Sequence, residues 1–246
     1  MRLPTIQGII RRRILVNYRV DPEVIRPLLP TTFRPKLHAD KAIAGICLIR
    51  LEQIRPRLLP SVLGISSENA AHRIAVLWED ELGVAREGVY IPRRDTSSRL
   101  NHLAGGRLFP GEHHLANFRV TDNRTSIQMS MHAQDGGVDI ELRGKSSDSL
   151  PSTSIFNSLA ESSAFFETGS LGYSATSSPT RLDGIVLDTK EWRVGPLEIT
   201  SLYSSYFANE ALFPAGTVAF DHALIMRDID HSWHSADDLH VCAKST

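Results

Sequence analysis

Three successive segments, Leu115 to Val120, Ser126 to Ala133 and Val138 to Arg143, alternate apolar and polar residues, and turn chemistry separates them, Asp122-Asn123 first and then Asp135-Gly136-Gly137. Alternation with a period of two puts every second side chain on one face, while Asp-Asn and Asp-Gly pairs reverse the chain tightly. The arrangement these signals favour is an antiparallel meander, so the fold is built around sheet.

The same period recurs on both sides of the meander. Arg13 to Val20 reads as a strand with Ile14, Val16, Tyr18 and Val20 on one face. Asp21 is placed to cap a helix, because its carboxylate can accept from free amides while Pro22 fills a position that needs no donor. Pro27 and Pro30 end that helix within about two turns, leaving Val24, Ile25, Leu28 and Leu29 as a small apolar lid. Ala42 to Ile54 is mostly apolar and closes at Arg55-Pro56-Arg57, as a largely buried strand entering a rim loop does. Asn69 to Trp78 alternates, with Ala71, Arg73, Ala75 and Leu77 on one side and Ala70, His72, Ile74 and Val76 on the other. Gly88 to Pro92, Leu182 to Leu187, Glu191 to Val194, Leu197 to Tyr203 and Val218 to Met226 add further strands, whereas Ser146 to Ser154 and Ser174 to Ser178 read as loops. One segment, Ser154 to Glu167, has helical spacing, with Ile155, Leu159, Ser163 and Phe166 on a face, Ser154 or Thr153 as N-cap and Gly169 just past the end. About ten short strands and one substantial helix predict an antiparallel sheet curled into a barrel or cone.

Composition narrows the partners. The 246 residues are 41% hydrophobic and 22% charged, enough for a sizeable core, and residues 1–246 read as a single domain. A net charge of -1 supplies no global field for nucleic acid or an anionic membrane, and no apolar run approaches the roughly 18 residues of a membrane span. Arg2, Arg11, Arg12, Arg13 and Arg19 precede the first acid, yet Ile9 to Val20 alternates like a strand and reads as folded structure rather than a targeting leader. Two cysteines, Cys47 and Cys242, fit a reducing compartment, so the expected location is cytoplasmic.

Four stretches carry a resemblance in their order and spacing: RILVNYRVDPEVIRPLLP at Arg13 to Pro30, AGICLIRLEQIRP at Ala44 to Pro56, LGISSENAAHRIAV at Leu63 to Val76, and GVYIPRRDTSSRLNHLAGGRLFPGEHH at Gly88 to His114. Together they resemble the YqjF-like family, DUF2071, of the acetoacetate decarboxylase-like superfamily. The resemblance implies a β-rich α+β fold, an antiparallel β-cone or barrel with few short helices around a central cavity, lined in part by the segment after Pro92. Decarboxylases of that superfamily carry a Pro-Lys-Lys sequence there, whose amine condenses with the keto acid. Here the matching residues are Pro92, Arg93 and Arg94.

That difference decides the chemistry. A guanidinium stays protonated and is not an amine nucleophile, and none of Lys36, Lys41, Lys145, Lys190 and Lys244 falls in the motif. A Schiff base is therefore not expected, and no cofactor or metal is implied. Paired arginines present planar donor forks to a carboxylate or phosphate. The predicted ligand is a small anionic, keto acid-like molecule, with Arg94 and Glu68 in catalytic roles and Arg73, Arg93, Ser67 and Asn69 contacting the ligand. In that reading Arg94 stabilises developing negative charge and Glu68 moves a proton, as in a lyase or isomerase. Two alternatives stay open: a non-catalytic binding or sensing protein that keeps the cavity, and a structural role in which one arginine pairs with Glu68 while the other faces solvent. A homo-oligomer is expected from the need to cover sheet edges.

Other candidates carry less. His113-His114 and the tail of Asp228, Asp230, His231, His234, Asp237, Asp238 and His240 invite a zinc site, but the spacing is loose and the expectation is a solvated tail. Asp221-His222 beside many serines suggests a hydrolase triad, but no Gly-x-Ser-x-Gly elbow is present and a buried His222 bonded to backbone is expected. Gly105-Gly106 and Gly136-Gly137 read as turns. Cys47 reads as inert core, as do Trp192, Tyr203, Tyr206, Phe207 and Phe213.

Overall fold

The computed structural model describes residues 5–104, 111–178 and 180–241. The strands are β1 Ile6–Val20, β2 Arg34–Pro35, β3 Leu37–His38, β4 Lys41–Pro56, β5 Ile65–Glu79 and β6 Ala85–Thr96. The meander follows as β7 His113–Asp122, β8 Ser126–Ala133 and β9 Asp139–Ser146, and then come β10 Leu171–Ala175, β11 Arg181–Thr189, β12 Gly195–Ser204, β13 Val218–Ser235 and β14 Leu239–His240. Three α-helices, α1 Pro22–Ile25, α2 Arg99–Ala104 and α3 Leu159–Glu167, are all short.

All fourteen strands belong to one sheet. One run of pairings leads from β6 through β7, β8, β9, β12, β13, β1, β4 and β5; a second leads from β6 through β10 and β11 to β13; and β5 also pairs with β6. The pairings are antiparallel except at β6, which runs parallel to both β10 and β7. Those two partners share one edge of β6, with Val89 to Ile91 facing β10 and Arg94 to Thr96 facing β7. Pro92 lies in the gap between them, where a residue without an N–H breaks no ladder bond.

Alternation divides the central strands between two buried layers. Ile14, Val16, Tyr18 and Val20 of β1 join Ala42, Ala44, Ile46 and Leu48 of β4 and Ala70, Ile74 and Val76 of β5 in the main core. Leu15, Ile43, Cys47 and Ala75, on the opposite face, pack with Phe156, Phe166 and Leu224. Burial on both faces explains why β4 reads as an unbroken apolar run. Gly45 is required there because a Cβ would run into the Val16 carbonyl oxygen of β1.

The lid forms as the sequence suggests, with Ile25 and Leu29 in the main core and Val24 and Leu28 packed against it. Asp21, however, makes no side-chain cap bond; its carboxylate meets Lys41 Nζ at 2.6 Å, while its carbonyl accepts from Val24. The main helix begins later than its apolar spacing implies. Ser154 Oγ and the Ile155 amide both donate to Asp221, at 2.7 and 3.0 Å, and this tether holds the chain out of helix until Ser158 caps α3 by accepting from the Glu161 amide. Glu161 in turn accepts from the Asn157 amide at 2.7 Å.

Further expectations need correction. Glu191 to Val194 is irregular, Ser174 lies within β10, and Asp228 to His234 continues β13 rather than forming a loose tail, although Asp228, Asp230 and His234 are solvated as expected and, of these Asp and His residues, His231 alone is buried. Gly105-Gly106 and Cys242 lie outside the described residues. Among the described residues no helix is long and apolar enough to cross a membrane.

Candidate functional site

A cavity of about 110 Å³ lies against the face of β1, β4, β5 and β6 that points away from the main core. One water needs roughly 10–15 Å³ of such space, so the cavity suits a molecule of a few heavy atoms. Arg13 of β1, Cys47 of β4, Asn69 and Arg73 of β5, and Arg94 of β6 line it, with His113, Ile185 and Trp233 among the residues opposite.

Register explains which arginine enters. Along β5, Asn69, Ala71 and Arg73 share the cavity face. Across from them, β6 pairs Ala71 with Arg94 and Ile74 with Tyr90, and the register shifts in between. That irregularity at Pro92 inserts one residue, so Arg94 joins Val89 and Ile91 on the cavity face. Arg93 turns to the other side, where Asp95 and Asp135 accept from its Nη2 at 2.8 and 2.9 Å.

Of the six residues singled out in the sequence, Arg73, Arg94 and Asn69 line the cavity, and Glu68, Arg93 and Ser67 do not. Glu68 accepts from Arg12 Nη2 at 2.7 Å, with Arg50 at 4.0 Å. Burial pushes its carboxyl up and the Arg12 charge opposes that. The alternative in which Glu68 pairs with one of these arginines does not form: Arg94 lies on the other face of the sheet, and Arg93, which shares Glu68's face, sits opposite His72 four residues along β5 and is held by Asp95 and Asp135. Ser67 Oγ accepts from Asn69 Nδ2 at 2.9 Å, and Thr96 donates to Asn69 Oδ1 at 2.7 Å, so Ser67 and Thr96 orient the amide.

The guanidiniums that face the cavity form no close ion pair, although Asp95 also lines it and the charge of Asp183 acts on Arg94 from farther away. Among the described residues, no carboxylate lies within 4.0 Å of the guanidinium of Arg13, Arg73 or Arg94. Arg94 Nε donates to Ser174 Oγ at 2.9 Å. Arg73, 5% exposed, donates from Nη2 to Asn17 Oδ1, lies 4.8 Å above the Phe166 ring, and leaves Nε without a partner among the described residues. Burial pulls Arg73 and Arg94 down to about 10, which leaves both cationic at neutral pH. His113 is pushed down to about 3 by burial and by the Arg94 charge. Perturbed groups gathered in one cleft are the physical mark of a functional site.

Behind Arg73 runs a hydrogen-bond relay of which the sequence singled out Asp221 and His222 but not their link to Asn17. His222 Nδ1 donates to Asp221 Oδ2 at 2.6 Å, which leaves Nε2 to accept from Ser162 Oγ at 2.7 Å and from Asn17 Nδ2 at 3.1 Å. The bonds of His222 are thus to side chains, not to backbone. Ser162 and His222 are 0% exposed and Asp221 is 1% exposed, so this Ser-His-Asp order is sealed from any substrate and acts on Asn17, which holds Arg73. Asp221 is held at about 2: burial pushes it up, but the bonds from His222, Ser154 and Ile155 outweigh burial.

His114 pairs with Asp135 at 2.9 Å, and among the described residues no three His, Cys, Asp or Glu side chains gather as a metal site would require. Phe207 and Phe213 fill the main core with Tyr206 against it, whereas Tyr203 is half exposed. Cys47 belongs to a buried core cluster, as expected, and it also lines the cavity, where Arg13 Nε donates to its Sγ at 3.2 Å.

Residues 9–225 match DUF2071, an uncharacterized conserved protein family. The chain belongs to that family. No curated protein matches it by sequence. Its fold is that of the acetoacetate decarboxylase-like superfamily. Acetoacetate decarboxylase from Legionella pneumophila superposes with a TM-score of 0.59 at 14% identity, covering 96% of this chain and 88% of that one. The enduracididine biosynthesis enzyme MppR complexed with pyruvate gives 0.58 at 10% identity, covering 98% and 91%. An acetoacetate decarboxylase-like enzyme from Sphingomonas wittichii RW1 gives 0.55 at 10% identity, covering 97% and 92%.

Proposed function

We propose that this DUF2071 member binds a small carboxylate of the keto acid type, gripped at its charged end by Arg73 and Arg94. The observation that carries this reading is the set of cavity-facing guanidiniums that have no carboxylate within 4.0 Å among the described residues. A buried, unpaired cation is costly to hold, and an anion that accepts its free donors removes much of that cost. Arginine suits the task because its planar fork meets a carboxylate with two parallel bonds. The pairings that lead from β6 through β10, β11, β13, β1, β4 and β5 back to β6 support a sheet closed as a cone around this ligand. MppR, which shares the fold, is described in complex with pyruvate.

In this reading the reaction class is a lyase or isomerase that uses electrostatic stabilisation by Arg94 rather than a Schiff base, since no lysine lines the cavity among the described residues. Glu68 leaves the proposed machinery because its charge is matched by Arg12 on another face. That pairing also favours the second reading, a binding or sensing protein without turnover. Both readings require the same ligand contact.

Calorimetric titration with pyruvate, set against its neutral amide, tests that contact. Pyruvate is expected to bind and the amide to bind much more weakly. Arg94→Gln is expected to weaken pyruvate by about 10- to 100-fold, the worth of a charge-assisted hydrogen bond, with Arg94→Lys falling in between. Equal affinity for the amide, or Arg94→Gln binding as the parent does, would remove the reading. Consumption of pyruvate or of acetoacetate by the parent protein would separate enzyme from receptor.

A further inference from the structure

The strand register aligns Cys47 with the proposed carboxylate grip. Cys47 of β4 pairs with Ala71 of β5, which pairs with Arg94 of β6, so all three side chains project from one face in a line across the sheet. Adjacent strands lie about 4.8 Å apart, and Ala71 between the sulfur and the guanidinium is too small to fill the space. Arg73 stands two residues along β5 on the same face. Arg13 completes the surround from β1 through its 3.2 Å bond to Sγ. Cys47 therefore sits among three guanidiniums. Two buried donors at the same wall, Arg73 Nε and Arg13 Nη1, have no partner among the described residues, so the wall offers donors to acceptors that those residues do not provide.

Thiolate rather than thiol is the nucleophile, and cations beside a cysteine favour that form. We propose that Cys47 is the nucleophile of this cavity and attacks the electrophilic carbon of a small carboxylate whose charged end rests on Arg73 and Arg94. The inference rests on the carboxylate-binding reading above and adds a covalent step to it. With a 2-oxo acid, a sulfur lone pair forms an S–C bond to the keto carbon and the C=O π pair moves onto oxygen. The resulting alkoxide takes up a proton equivalent to the one the thiol gave to solvent. Nothing is oxidised or reduced, and the addition reverses by the same path. Such a step would give covalent attachment without an amine, in a family member whose motif carries arginines.

The test compares iodoacetate with iodoacetamide, which differ in charge but not in reacting carbon. In either case an S–C bond forms and iodide leaves. Peptide mass mapping at pH 7 reports the rate at Cys47, and the ratio of the two reagents is referred to their ratio for glutathione. The anionic reagent is expected to be favoured at Cys47 by about tenfold or more over that reference, as a field of like-signed guanidiniums focuses anions. Pyruvate should slow the labelling. Arg94→Gln should bring the ratio toward that of glutathione, and Arg94→Lys, which keeps the charge, should retain most of the preference. Absence of label at Cys47, or a ratio equal to that of glutathione in the parent protein, overturns the proposal. Unlabelled Cys47 in a protein that still binds pyruvate calorimetrically would overturn the nucleophile alone, whereas loss of pyruvate binding as well would overturn the carboxylate site.

Discussion

Asp221→Ala is expected to cost the fold about 3–5 kcal/mol, the loss typical when one partner of a buried ionic network is removed. Asp221 accepts four bonds at 1% exposure: from His222 Nδ1, Ser154 Oγ, the Ile155 amide and Arg19 Nη1. Truncation leaves an imidazole N–H, a hydroxyl and an amide without acceptors in a site that water does not reach, each at about 1–3 kcal/mol before relaxation. Asp221→Asn keeps one acceptor oxygen but turns an N–H₂ toward donors, so about half that loss is expected. Chemical denaturation at pH 7 measures both. The loss should also be local, because Asp221 tethers the chain entering α3, and Phe166 of α3 supports the Arg73 guanidinium. Faster amide exchange in residues 154–167 and weaker pyruvate binding should accompany it. A loss below about 1 kcal/mol for the alanine variant would mean that the relay is not a unit.

Acid should unfold the protein through its histidines before its carboxylates matter. Burial, with the Arg93 charge, pushes His72 down to about 3; burial, with Arg94, does the same for His113; and burial, with Arg13, brings His231 to about 4. An unfolded histidine takes its proton near pH 6.5. Between that value and the depressed folded values the unfolded chain binds more protons, so stability is full above about pH 6.5 and falls as the pH falls. Each histidine contributes about 1.4 kcal/mol per pH unit, and the three together about 4, well below pH 6.5. Against a total stability of about 5–15 kcal/mol, that slope unfolds the chain within a few pH units. Carboxylates held low, such as Asp135 and Asp221 at about 2, add their loss only below about pH 4, while Glu68 and Asp95, raised by burial, act in the opposite sense. His72 offers the clean variant. It is 0% exposed, its ring lies tilted 4.5 Å from that of Tyr206, and neither ring nitrogen has a hydrogen-bond partner among the described residues. His72→Leu should cut the slope between pH 6 and 4.5 by about a third and raise stability at pH 5. A slope unchanged by that substitution would contradict the account.

What the sequence made legible follows from how local each determinant is. The faces of β1 and β5 and the order of the meander are written in alternation, which depends on nothing beyond the strand itself. The start of α3 was missed because Asp221, distant in sequence, tethers Ser154 and Ile155, although Ser158 and Glu161 carry a capping-box spacing that marks the true boundary. The choice between Arg93 and Arg94 was beyond simple alternation, since the irregularity at Pro92 changes the parity; a proline inside a strand was the available warning. Cys47 was read as core because a strand buried on both faces shows no period by which to assign its sides. Glu68 and Arg73 looked like site partners from proximity in the chain, yet five residues along a strand put them on opposite faces. The relay through Asn17, His222 and Asp221 joins strands far apart in sequence, and no local pattern announces it.

The central claim is that the cavity beside Arg73 and Arg94 is a carboxylate site, and a crystal structure of the protein soaked in pyruvate tests it most directly. The pyruvate carboxylate is expected inside the cavity, with its oxygens within hydrogen-bond distance of both guanidiniums and its keto carbon facing Cys47 Sγ. Pyruvate bound only at the outer surface, or a cavity holding water alone at saturating pyruvate, would contradict it.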